Sequence, residues 1–64
     1  MQVIKEVTIK GRKADMWESR DAEGRKVYAV SFPLKDGTRV QPIVIFHRSQ
    51  KAAIRDAHNL GVAW

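Results

Sequence analysis

The chain contains no cysteine, so neither a disulfide framework nor a thiolate metal site can reinforce it. Glycine and proline are scarce, with four and two residues. No repeat, low-complexity tract or linker interrupts the sequence, which reads as a single domain over 1–64 and not as a disordered segment. No apolar run approaches the roughly 18 residues of a membrane span. Met1–Lys10 also lacks the apolar stretch of a signal peptide. The expectation is a soluble, cytoplasmic protein with no membrane partner. At 64 residues such a chain buries only about 60 % of the surface its unfolded form exposes. Its stability must then come from tight packing, a second copy or a bound partner.

Acidic residues are the other scarcity, and they are unevenly spread. Twelve Lys/Arg stand against seven Asp/Glu, a net charge of +5. Residues 1–24 hold five bases and five acids and are neutral; residues 25–64 hold seven bases and only Asp36 and Asp56 as acids, so they carry the whole excess. A polarised charge of this kind is the usual footprint of a surface that meets a polyanion. The competing explanation is a charge that serves solubility alone.

Val3, Val7 and Ile9 alternate with polar neighbours, the period of a strand. Gly11 breaks that run, and a second strand is expected over Ala14–Arg20 around Met16 and Trp17. Asp21-Ala22-Glu23-Gly24 reads as a turn. A third strand follows over Arg25–Leu34, then Asp36-Gly37 as a hairpin turn, then a fourth strand over Arg39–Phe46. A four-residue turn at Asp21–Gly24 would set Trp17 opposite Tyr28. A two-residue turn at Asp36-Gly37 would set Tyr28 opposite Ile45 and Val30 opposite Ile43. A bulge at either turn inverts this register. Ser49 is a good N-cap for a helix over Gln50–Leu60, with Ala53, Ile54, Ala57 and Leu60 on one stripe. Gly61 suits the C-terminal cap, with Val62 placed for the apolar contact that accompanies it. The fold class is α+β: an antiparallel β-meander of three to four strands followed by one C-terminal helix packed on one face.

One helix covers one face of such a sheet. The other face, holding Val27, Ala29, Val40, Val44 and Phe46, is too apolar to be left in water. It is covered by curling of the first strand, by a second copy of the chain, or by a macromolecular partner.

Catalytic patterns are absent. His47 and His58 lack zinc-ligand spacing. Ser19, Ser31 and Ser49 have no nucleophile elbow, and the isolated glycines form no phosphate loop. A ribonuclease built on His47 as base and Arg48 as phosphate ligand is the one enzymatic alternative. Against it, His47 serves as a structural group at the strand-to-helix corner. No catalytic residue, metal or cofactor is expected. The basic residues carry more information. Arg48, Lys51, Arg55 and His58 share one side of the helix, away from its apolar stripe. Lys10, Arg12, Lys13, Arg25, Lys26 and Lys35 gather at turns and strand ends, where they reach phosphates without disturbing a core. Asp15 and Glu18 oppose that use. Trp64 reads as a lid on the core or a dimer contact.

The segment Trp17-Glu18-Ser19-Arg20-Asp21-Ala22-Glu23-Gly24-Arg25-Lys26-Val27-Tyr28 resembles the arm-binding domains of tyrosine recombinases and plant ethylene-response-factor domains. In both, a Trp-containing strand precedes an Asp/Gly turn and a basic second strand, and a third strand and one helix follow. The resemblance implies a three-stranded sheet that enters the DNA major groove, with contacts from Arg20, Arg25 and Lys26.

The functional expectation is a small non-enzymatic nucleic-acid-binding protein, DNA ahead of RNA, of the accessory or regulatory kind found in phage and mobile elements. Its contacts would come from Lys10, Arg12, Lys13, Arg20, Arg25, Lys26, Arg48, Lys51 and Arg55. This requires the seven cations of residues 25–64 to form one exterior zone. The alternative is a protein-binding module or inhibitor, homodimeric or docked on a host protein through the apolar sheet face, Trp64 or an edge strand, with its basic excess steering it to an acidic target.

Overall fold

A computed structural model describes residues 1–42 and 46–60, Leu60 by its backbone alone. Three strands, β1 (Gln2–Ile9), β2 (Arg12–Arg20) and β3 (Lys26–Ser31), form one antiparallel sheet in the order β1-β2-β3, and one helix, α1 (Gln50–Leu60), follows. The fold is therefore the expected α+β meander with a terminal helix.

The first hairpin turns on Lys10 and Gly11, with φ of 49° and 81°. Positive φ at both central residues is the tight turn whose twist matches its flanking strands. The strand consequently resumes at Arg12, two residues earlier than the Ala14 expected from the apolar pattern.

The second connection departs from expectation in a way that matters. Gly24 N–H donates to the Asp21 carbonyl at 3.0 Å, Asp21 N–H donates to the Arg25 carbonyl at 2.9 Å, and Gly24 sits at φ 82°. This is a turn followed by a left-handed glycine bulge, closed by Asp21 and Arg25. The Asp21 carboxylate caps it, accepting from the Glu23 and Arg25 amides at 2.9 Å each. The bulge adds one residue and slips the register, so Trp17 pairs with Ala29 and not with Tyr28. A slip of one moves every side chain to the other face.

The two faces then separate cleanly. Ile9, Ala14, Met16, Val30 and Phe32 lie on the helix side. There Ile9, Ala14, Phe32 and Ala57 form the buried cluster, with Val7, Val30 and Ile54 packed against it. Met16 and Ile9 are 0 % and 1 % exposed, each worth about 1.5–3 kcal/mol of hydrophobic transfer. Trp17, Val27, Ala29, Asp15 and Ser31 face the opposite side and are buried as well.

Part of that opposite side, at Asp15 and Ser31, lies against the chain's own connecting segment. The Ser31 hydroxyl donates to the Val40 carbonyl at 2.6 Å, and Arg39 lies 3.5 Å from the Asp15 carboxylate. Residues 33–42 thus lie across the sheet and not beside it. The expected fourth strand over Arg39–Phe46 is not formed at Arg39–Pro42 or at Phe46; residues 43–45 lie outside the described residues. Its turn again has a bulged glycine, with Leu34 N–H donating to Thr38 and Gly37 N–H to Leu34, both at 2.9 Å, and Gly37 at φ 90°. Tyr28 meets His47 in place of Ile45, through two reciprocal backbone bonds of 2.7 Å. The expected Val30–Ile43 pairing falls outside the described residues, as do the Gly61 and Val62 cap and Trp64.

α1 spans the expected residues. The Ser49 hydroxyl accepts from the Ala52 amide at 3.1 Å, the N-cap bond. Ala53 and Ala57 are buried and Ile54 half-buried, turned to β3 and β1.

Candidate nucleic-acid interface

The nine expected contact residues divide between the two ends of the sheet. β2 has nine residues, so its ends stand roughly 26 Å apart at the usual strand rise. Lys10, Arg12 and Lys13 lie at the β1–β2 end. Arg20, Arg25, Lys26 and Arg48 lie at the β2–β3 end, where Arg48 approaches the Asp21 carboxylate to 3.9 Å. α1 starts at this end and runs to the other, where Ala57 packs on Ile9 and Ala14. All nine residues are exposed.

Their partners differ. The Arg12 guanidinium stacks over the Phe32 ring, 4.5 Å from its centroid, so it serves the core lid as well as the surface. Arg20 donates to the Gly24 carbonyl at 2.6 Å, which fixes the guanidinium on the loop but neutralises no charge. Arg25 is paired with Glu23. Lys10, Lys13, Lys26, Lys51 and Arg55 have no carboxylate partner among the described residues.

A single zone of seven cations is not what the fold builds. Three of the seven, Arg25, Arg39 and Arg48, are paired with Glu23, Asp15 and Asp21, acids of the neutral opening stretch. Lys35 sits in the exposed turn after β3, which leaves Lys26, Lys51 and Arg55 as unpaired cations at the sheet end and on the helix. The three pairs are themselves exposed on their basic side, with Arg side chains 57–69 % accessible, and such pairs hold weakly.

The sheet face opposite the helix carries the buried Trp17, Ala29 and Ser31.

His47 occupies the corner before α1, as its structural reading expected. Its backbone bridges Tyr28, and its Nε2 lies 3.3 Å from the Asp56 carboxylate. His58 is exposed on the far part of the helix. No group of three or more potential metal ligands occurs among the described residues. Two open depressions of about 400 and 370 Å3 are lined by Met1, Gln2, Glu18, Ser19 and Arg20, and by Glu6, Lys13, Asp15, Pro33, Gly37 and Arg39.

Sequence reasoning missed the acids that organise these cations. Asp21 three residues before Gly24 is a legible signal for a bulged turn, and Asp36 one residue before Gly37 misleads toward the shorter turn. The His47–Asp56 and Asp15–Arg39 pairs leave no local trace. No family model, curated protein or solved structure matches the chain. Among the described residues no helix is long and apolar enough to cross a membrane.

Proposed function

We propose that this chain is a small non-enzymatic nucleic-acid-binding protein of the accessory or regulatory kind, taking DNA ahead of RNA. The observation that carries this reading is the disposition of its acids. Asp15, Asp21 and Glu23 face arginines, Asp56 faces His47 and Asp36 accepts from its own turn, which leaves Glu6 and Glu18, of the seven carboxylates, without a partner among these contacts. Against them stand Lys10, Lys13, Arg20, Lys26, Lys51 and Arg55, all exposed and without a carboxylate partner among the described residues. The single zone of seven cations that this reading called for is not built, so the reading rests on the net charge of +5 and on these separate exposed cations, which suit sequence-independent phosphate contact.

The docking-module alternative, which the dispersal of those cations favours, meets two obstacles. Residues 33–42 lie against part of its apolar face, at Asp15 and Ser31. The outer edge of β1 is interrupted by a register shift between Val3 and Lys5 and carries Lys5 and Glu6, features that oppose strand addition. Its third candidate, Trp64, lies outside the described residues.

The test is a salt titration of duplex binding by fluorescence anisotropy. The logarithm of affinity should fall linearly with that of salt, by about 0.9 for each phosphate contacted. The joint variant Lys51→Ala/Arg55→Ala should weaken binding uniformly across sequences. Lack of any retention at about 50 mM salt, where phosphate contacts are strong, would remove the proposal.

A further inference from the structure

We infer that the nucleic-acid backbone seats on the helix-bearing side of the β2–β3 end, against Arg20, Lys26 and the start of α1, and not on the opposite face of the sheet. This rests on the nucleic-acid reading above and deepens it by naming the surface.

Arg20 and Lys26 are direct cross-strand partners, both exposed, on the same side of the sheet as Met16 and Val30, which is the side α1 packs on. Like charges in that position repel and destabilise a sheet. The Arg20 bond to the Gly24 carbonyl leaves the repulsion in place, and Lys26 has no carboxylate partner among the described residues. A phosphate between the two relieves it. The support beneath them is rigid, because the Asp21 carboxylate and backbone tie the loop at both Glu23 and Arg25. α1 begins on the same end, since Arg48, one residue before its cap, reaches Asp21. Its first turn adds Lys51 and the positive end of the helix dipole.

The other surfaces fit a polyanion less well. On the opposite face Trp17 and Ser31 are buried, and Val40 of the connecting segment accepts from Ser31. At the β1–β2 end, Arg12 is engaged with Phe32, and Lys13 shares its depression with Glu6 and the Arg39-paired Asp15, whereas among the described residues Glu18 is the one carboxylate lining the depression beside Arg20.

Two double variants separate the surfaces: Arg20→Gln/Lys26→Gln, and Lys10→Gln/Lys13→Gln as the control at the far end. Circular dichroism and urea unfolding establish that each stays folded. In anisotropy titrations with a labelled duplex, the Arg20/Lys26 variant should show a salt slope shallower by about 1.8, two phosphate contacts' worth, and the control an unchanged slope. Equal losses in both variants, or a loss in the control alone, overturn the seat while nucleic-acid binding stands. Failure of the unaltered protein to bind duplex overturns both.

Discussion

The indole N–H of Trp17 donates to the Ser31 hydroxyl at 2.8 Å, inside the sheet face opposite the helix. Ser31 passes the chain on, donating to the Val40 carbonyl at 2.6 Å. Two buried side chains thereby anchor the segment that covers them. Such a relay stabilises little when complete and costs much when broken, because the orphaned groups stay away from water.

Ser31→Ala leaves the indole donor and the Val40 acceptor without their partner. It should destabilise the fold by about 1–3 kcal/mol, measured by urea unfolding. Trp17→Phe should cost a similar amount, and the double variant less than the two together. Additivity within about 0.3–0.5 kcal/mol would show that the two residues are not coupled.

Asp21→Ala removes the acceptor for two loop amides and should cost about 1 kcal/mol. Asp21→Asn retains an oxygen in the same place while discarding the charge that faces Arg48. The asparagine variant should therefore stay close to the unaltered protein in stability. Equal losses would assign the effect to the ion pair instead of the turn.

Gly24 holds φ at 82°, and a side chain added there would meet nothing within 4 Å. The expected penalty for Gly24→Ala is therefore backbone strain alone, about 1–2 kcal/mol. Gly24→Asn should cost less, since asparagine tolerates the left-handed region. Thermal unfolding of the two variants compares them directly, and an alanine variant as stable as the asparagine one would contradict the bulged turn.

The Thr38 side chain and amide hold the Asp36 carboxyl below its ordinary pKa. A carboxylate with a depressed folded pKa contributes stability above its unfolded value and loses it as pH falls through the folded one. An NMR titration should accordingly place the Asp36 midpoint under that of an unstructured aspartate. Asp36→Asn should erase this part of the acid dependence. A midpoint at or above the ordinary value would exclude the Thr38 contact in solution.

Much of the fold was legible because it is written in short-range chemistry. Ser49 before an alanine-rich stretch with one apolar stripe defined α1 to the residue, since capping and periodicity act within a single turn. The alternation around Val7 and Ile9 located β1 for the same reason. The pairing of Trp17 was not legible. It depends on whether a connection holds an even or odd number of residues, and a left-handed glycine changes that number without altering composition.

Residue chemistry alone thus settled the first three strands, the helix and the basic excess of the later part of the chain, all of them consequences of neighbours and counts, while the fourth strand it suggested is not formed at Arg39–Pro42 or Phe46. Only the folded chain decided that Trp17 turns away from the helix, that residues 33–42 lie against part of the second face, and that Arg39 and Arg48 spend their charge on Asp15 and Asp21. These depend on groups far apart in sequence meeting in space. The bulged turn at Gly24 fixes which face of β2 each of those groups occupies relative to β3.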